Sequence, residues 1–569
     1  MDNRNTLIAM TVCMALILGW TYFSEVMGWT NRSLVTTQEV APATEQVPDQ
    51  QVVDSAAPAS GGAAGHPAAI SSQNPAAFPA SGIVAPAVSE DGKPAEIVVE
   101  TPLYSAKFSA LGGILTSFEL KNYTVSSEYQ TEAPRRQVQI IAPEATAFAP
   151  MGILINNKHS WRNAVWSVEN SAGGNALNLE SSAPGTLTFV GRLDDLTIKR
   201  VLTFEPNTYV VREELFLSSA QAQTLNLGYS ISTGNLAGPE DYLQINQVAR
   251  VQGGSFEIMD SESDLANGQD FGTDVAWGGS MSNYFLAAMI PANPLFRMEA
   301  RLSGSVYTVA MKNDAVQVSP EAPTRSEMFY YFGPKQQEDL MAAPGNLVDA
   351  VDYGWFGWIA KPLMVMLKFF YDYVGNWGVA IILMTVVIKI VLWPLSYKSY
   401  KSMQGMKAIQ PHMAKIREKH KGDKERLNRE MMQLYKTYKV NPAGGCLPIL
   451  VQLPVFIGLY KALLAAFELR QASFIPHLPF TDMLWLADLS LKDPLYITPI
   501  VMGVSMFIQQ KITPAVGDPT QQKIMMFMPI IFTVMFINFP SGLVVYWLVN
   551  NIISIAQQQW QMKRKPGKA

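Results

Sequence analysis

KIMMFMPIIFTVMFINFPSGLVVYWLVNNIISIAQQQWQMK, residues 523–563, decides what kind of protein this is. Between its two terminal lysines lie 39 residues without a charge. Pro540-Ser541-Gly542 breaks the run near its middle, where proline removes a backbone donor and glycine lets the chain turn. The stretch reads as a helical hairpin of two membrane spans, 524–539 and 541–560. The first arm has about 16 residues, or ~24 Å at 1.5 Å per residue. A hydrocarbon core is about 30 Å thick, so short spans of this kind thin the bilayer around them.

Three more apolar segments precede the hairpin: 377–395, 447–467 and 494–511. Residues 355–373 are aromatic-rich and amphipathic, with Lys361, Lys368 and Asp372 interspersed, which suits a helix lying in the interface. At the far end, Leu7–Phe23 follows Arg4 and closes with bulky Trp20, Tyr22 and Phe23. It is expected to be an uncleaved anchor within residues 1–30. Residues 31–95 are rich in Ala, Pro, Gln, Ser and Gly. They bury too little apolar surface to offset ordering entropy and are expected to be a flexible linker.

Charge orients these segments. The net charge of −4 hides an asymmetry. From Arg32 to Asp372, 20 Lys/Arg stand against 36 Asp/Glu; from Lys398 to Cys446, 12 stand against 4. The positive-inside rule places the basic segment 396–446 and the basic tail 561–569 in the cytoplasm, and the acidic region outside. Cys13 and Cys446 lie at opposite ends of the chain, so no disulfide framework is indicated.

The acidic region 96–340 carries strand signals: Glu96–Glu100, Gln137–Ile141, Thr186–Val190, Leu196–Phe204, Val210–Leu217 and Ser305–Met311. So many strands imply a large β-sandwich. His159 is its only histidine, and Asp194-Asp195 fits a hairpin turn better than a carboxylate pair. The domain reads as a binding or scaffolding module, with no catalytic residues, cofactor or metal expected.

The basic segment has its own pattern. Met403, Met406, Ile409, Met413 and Ile416 recur at helical spacing, as do Leu427, Met431, Leu434 and Tyr438, with Gly422-Asp423 between. Two short amphipathic helices in an antiparallel hairpin follow. Lys415, Arg417, Lys419 and Lys421 crowd its tip. They are candidates for contact with anionic lipid, a ribosome or an emerging chain; the plainer reading is a loop that only sets topology.

Polar residues inside the spans are the most informative. Lys389 lies nine residues from cytoplasmic Lys398, with Thr385 one turn above on the same face. Gln452, Gln509, Asn550, Asn551 and Ser554 also fall in the cytoplasmic halves, whereas the outer halves are almost purely apolar. A charge at the bilayer centre costs at least about 2.5–3.5 kcal/mol, so Lys389 should face protein or water, although snorkelling to the interface is the competing reading. The set describes a wet groove open to the cytoplasm and closed on the other side.

Val440-Asn441-Pro442-Ala443-Gly444-Gly445-Cys446-Leu447-Pro448, Asp518-Pro519-Thr520-Gln521-Gln522-Lys523-Ile524-Met525 and Phe539-Pro540-Ser541-Gly542-Leu543 resemble the Oxa/Alb/YidC family of membrane protein insertases in its Gram-negative form. The resemblance covers essentially the whole chain. It implies a polytopic α-helical protein of the inner membrane, with six spans, a five-helix core and a periplasmic all-β domain, a β-supersandwich. The implied function is inserting and folding nascent membrane proteins, alone or with the Sec translocon. The family's groove cation, often arginine, falls on Lys389, where lysine keeps the charge without the bidentate fork. The hydrophobic slide falls on the third and fifth spans, with Met535 on the fifth, and Tyr546 and Trp547 match its aromatic pair in the last span.

Two other classes compete. A secondary transporter with a midplane polar site usually shows inverted repeats and polar groups reachable from both faces, and neither is seen. A sugar-modifying enzyme would need paired carboxylates or a histidine in a cleft of the β-domain. Nothing points to direct recognition of nucleic acid.

Overall fold

The computed structural model describes residues 94–563, apart from 126–134, 171–173, 181–182, 235, 237–245, 260, 421, 439, 441–446 and 514–518. The anchor expected at 1–30, nearly all of the 31–95 linker, Lys421 and residues 564–569 of the tail lie outside the described residues.

The β-domain is built from alternation. Val210–Ser219 buries every second side chain along its whole length, so one face meets the core and the other meets water. Phe285–Pro291 is buried at every position and lies inside a nine-stranded sheet, between Val275–Met281 and Thr324–Pro334. A six-stranded sheet centred on Val306–Val318 and Gln223–Thr233, and a five-stranded sheet that includes Glu96–Glu100, complete the domain. One buried apolar cluster draws on all three sheets. Asp194-Asp195 is the two-residue turn expected: Leu193 pairs with Leu196, and Asp194 takes the left-handed φ of 54° that such turns require. His159 is exposed, against Trp161.

Among the described residues, the core contains one buried ion pair. Arg200 and Glu213 are both fully buried, on neighbouring strands. Arg200 Nε donates to Glu213 Oε1 at 2.6 Å, and its other nitrogens donate to the carbonyls of Gly112, Gly113 and Met151. Tyr330 Oη donates to Glu213 Oε2 at 2.7 Å. Gly112 and Gly113 have φ of 73° and 67°, which brings their carbonyls onto the guanidinium. The pair therefore ties the nine-stranded sheet to the turn before Leu115–Thr124 of the five-stranded sheet.

Eight principal helices follow: α1 (Gly357–Val374), α2 (Trp377–Val391), α3 (Trp393–Lys419), α4 (Lys424–Thr437), α5 (Leu447–Ala465), α6 (Ile497–Ile512), α7 (Pro519–Phe536) and α8 (Ser541–Lys563). Asn376 caps α2 by accepting the Val379 N–H. Pro540 separates α7 from α8, as its missing donor dictates. No single helix among the described residues is long and apolar enough by itself to cross a membrane; α2 and α3 qualify together, bent by 62°. α2 has 15 residues, about 22 Å of rise, and the buried polar side chains on α8 lower its hydropathy.

Helices α3 and α4 correct the hairpin in two respects. Its first arm is not short: α3 runs for 27 residues directly from the bend at Leu392. Its apolar seam joins Met406, Ile409 and Met413 to Met431, Leu434, Tyr435 and Val440. Tyr438, expected on that seam, lies just past the end of α4 and is exposed, beside the His412 ring. Tyr435 takes the place on the seam at that end of α4, and Tyr438, whose N–H still bonds the Leu434 carbonyl, stands against His412 instead.

Candidate functional site

α2 packs against α8, α8 against α6, and α6 against α7; α1 packs against α2 and α5. Lys389 sits in the last turn of α2 and is buried. Its Nζ donates to Ser554 Oγ on α8 at 2.6 Å. Ser554 Oγ in turn donates to the Asn550 carbonyl at 2.7 Å, one turn earlier. An ammonium has three donors, so two remain for an incoming acceptor. No carboxylate lies within ion-pair distance of Lys389 among the described residues.

Asn551 makes the second cross-link. Its Nδ2 donates to Ser505 Oγ on α6 at 3.1 Å, and Ser505 donates to the Met502 carbonyl. α8 thus bonds to α2 through one side chain and to α6 through the next. The polar face continues downward through Gln557, Gln558 and Gln561, all buried. Gln558 exchanges long hydrogen bonds with Thr513, and Gln404 of α3 donates to the Gln561 carbonyl at 3.2 Å. From Asn550 to Gln561 the face spans about 16 Å of helix rise, roughly half a hydrocarbon core.

The groove residues named from sequence divide into three groups. Lys389, Asn550, Asn551 and Ser554 are brought together. Thr385 is buried on the Lys389 face, but its hydroxyl bonds to the Ile381 carbonyl of its own helix. Gln452 on α5 and Gln509 on α6 stand outside the cluster: Gln452 lies beside the Tyr546 hydroxyl, and Gln509 is half-buried in the last turn of α6. Ser505 and Thr513 were not singled out from sequence. A serine within an apolar helix carries no signal until the partner helix is known.

Of the residues expected on the slide, Trp547 meets an aromatic cluster. Trp547 lies 4.7 Å from the Phe456 ring, edge-on, and 5.3 Å from Phe536, with Phe532 stacked beside it. Tyr460 and Phe539 extend the cluster, which therefore joins α5, α7 and α8. Tyr546 is fully buried, and Met535 is half-buried on α7. Phe456/Tyr460 and Phe532/Phe536 recur at i,i+4, a spacing that could have flagged them. At the hairpin tip, Lys419 and His420 both approach Glu430.

A family model described as the 60Kd inner membrane protein matches residues 369–568, and one described as the YidC periplasmic domain matches residues 96–366. The membrane protein insertase YidC of Nitratidesulfovibrio vulgaris strain Hildenborough is 47% identical to this chain over 566 residues, covering 99% of this chain and all of its own. That of Oleidesulfovibrio alaskensis is 45% identical over 566 residues, with the same coverage. A crystal structure of an active YidC insertase with its first transmembrane domain resolved is similar at 18% identity and a TM-score of 0.35, over 83% of this chain and 94% of that one.

Proposed function

This chain belongs to the YidC family of membrane protein insertases, and from that premise we propose how its residues act. It is an inner-membrane protein with a periplasmic β-domain, and its function is the insertion of membrane proteins. The family is one of insertases rather than enzymes.

The proposed path is the polar face of α8 between α2 and α6. A substrate helix must carry a short polar tail across an apolar layer. Asn550, Asn551, Ser554 and Lys389 hydrate that tail to about mid-membrane, and Lys389 attracts an acidic group on it. The short helices thin the remaining apolar layer, and the membrane potential favours outward movement of the negative tail. The substrate's apolar segment meanwhile docks against the Trp547–Phe456–Phe536 cluster on the slide and leaves into lipid, gaining about 25 cal/mol per Å² of apolar surface withdrawn from water. Thr385, Gln452 and Gln509 border this path, and Met535 and Tyr546 border the slide. The hairpin residues Lys415, Arg417, Lys419 and Lys421 make first contact with anionic lipid, a ribosome or the nascent chain. The Sec translocon is a further partner for substrates with large exported segments.

The observation that carries this reading is the Lys389–Ser554 hydrogen bond: a buried cation, paired with no carboxylate among the described residues, set against a polar face. The test is photocrosslinking from Ser505 and from Val504, which faces outward on the same helix. A stalled nascent chain with an acidic tail is expected to crosslink from position 505 and not from 504. Equal crosslinking from both positions sinks the groove reading.

A further inference from the structure

Between α5 and α6 lies the loop 466–493, which touches more of the molecule than a connector needs to. Its first residues enter the β-domain. Phe467 is buried within the β-domain's apolar cluster, its ring edge-on to Tyr123 at 5.1 Å, Phe285 at 5.9 Å and Tyr284 at 6.2 Å. Arg470 lies over the Phe285 ring and donates to the Thr124 carbonyl. Gln471 Nε2 donates to the Thr124 carbonyl and hydroxyl, both at 2.7 Å. Gln471 holds a left-handed φ of 60°, a strained backbone for a residue other than glycine, kept in place by these contacts. Beside them, Glu468 pairs with Lys368 of α1.

The same loop then grips the outer ends of α2 and α8. Phe474 packs on Gly378, and its carbonyl accepts from Asn376 Nδ2, the capping residue of α2. The first two backbone N–H groups of α8 have no partner within the helix, and the loop supplies both: Ser541 N–H donates to the Leu491 carbonyl at 2.7 Å, and Gly542 N–H to the Leu489 carbonyl at 3.0 Å. Ser541 Oγ donates to the Asp488 carbonyl. Asp488 is the joint between the two grips. It is buried; its carboxylate accepts from Ser490 N–H and Oγ at 2.8 and 2.6 Å, and the Gln471 N–H points at it. Among the described residues Arg470 is the charged group that faces it, and α8 presents the Ser541 hydroxyl and backbone.

We propose that loop 466–493 couples the periplasmic β-domain to the groove helix α8, with Asp488 as the positioning residue that holds the two grips in register. The inference rests on α8 being the groove helix. In its terms, the pose of the β-domain sets how firmly the outer end of α8 is held, and hence how firmly the groove is closed on the periplasmic side. Burial pushes the Asp488 carboxyl up to about 6, against the opposing pull of Ser490, Gln471 and Arg470. A raised acid favours the folded arrangement while protonated. Coupling is therefore fully present below the ordinary aspartate value of about 4, weakens as pH rises from there through about 6, and is level above it.

The test is hydrogen exchange on the full-length protein in lipid nanodiscs, corrected for intrinsic rates. It reads backbone opening and not insertion, so its failure is separable from failure of the groove reading. Phe467 has its ring contacts in the β-domain, yet with Phe467→Ala exchange over residues 541–551 is expected to rise about fivefold or more, while Phe467→Leu, which refills the β-domain pocket, stays within about twofold of wild type. A rise confined to the strands around Tyr123 and Phe285, or an equal rise in both variants, overturns the coupling. In the wild type, exchange over 541–551 is expected to increase between about pH 5 and pH 7, and Asp488→Asn to abolish that increase. A flat wild-type profile, or one unchanged by Asp488→Asn, removes Asp488 from the role.

Discussion

At the scale of single residues, two buried cations obey different rules. Lys389 has a neutral partner, so its charge is available to a ligand. An opposite charge at about 4 Å is worth ~1 kcal/mol in water and ~4 kcal/mol at an effective dielectric of 20. For a substrate with an acidic tail, Lys389→Arg is expected to insert normally, Lys389→Met about tenfold more slowly, and Lys389→Glu more slowly still; a neutral-tailed version is affected far less. Insertion of both versions into proteoliposomes, with variant levels matched, checks this. Wild-type rates for both with Lys389→Met would remove charge from the mechanism and leave hydration and thinning. Arg200 is the opposite case, since its charge is consumed by Glu213. Glu213→Ala leaves an unpaired buried guanidinium and should cost the β-domain about 3–5 kcal/mol, read from urea melts followed by tryptophan fluorescence. A loss under about 1 kcal/mol would mean that water reaches Arg200.

At the scale of elements, close helix contacts and the basic hairpin make separate demands. A Cβ on Gly503 of α6 would collide with Thr533 Oγ1 of α7, and that hydroxyl is held by the Pro529 carbonyl. Gly503→Ala is expected to force the two helices apart at a cost of about 1–3 kcal/mol, and Thr533→Ala in the same chain to restore most of it. Thermal melting in detergent compares the three. The α3–α4 hairpin is held chiefly by its Met406–Ile409–Met413 seam, because the Lys419–Glu430 pair across its tip is solvent-exposed and contributes little. Replacing Lys415, Arg417, Lys419 and Lys421 with Gln should therefore leave its helix content intact while nascent-chain crosslinking at low ionic strength falls several-fold. Unchanged crosslinking would reduce the tip to a topology signal.

At the scale of the whole molecule, charge asymmetry orients the chain. By the positive-inside rule the region holding 36 Asp/Glu against 20 Lys/Arg is expected outside, and the hairpin holding 12 against 4 inside. A tag at Glu299 is expected to be cleaved by protease added to spheroplasts, and a tag at Lys421 only after lysis. Protection of the Glu299 tag in spheroplasts contradicts that orientation. The β-domain's edge meets the helices through Phe467, Arg470 and Gln471, so the two halves share one apolar cluster.

The sequence by itself determined the division into a β-domain and a helical region, the break at Pro540 and the place of Lys389 near the end of an apolar helix. These follow from local properties: side-chain period, the missing proline donor and the distance in residues from flanking charges. Family membership was legible because motifs are also local. Only the tertiary structure decided that Lys389 faces Ser554, that Asn551 faces Ser505, and that Gln452 and Gln509 stand apart from that cluster. Helical period gives a residue's direction on its own helix but not which helix stands opposite. Phe467 shows the same limit most plainly: two residues beyond an apolar helix it reads as that helix's end, and its place in a β-domain core follows from contacts more than 100 residues away in sequence, with Tyr123 and Phe285.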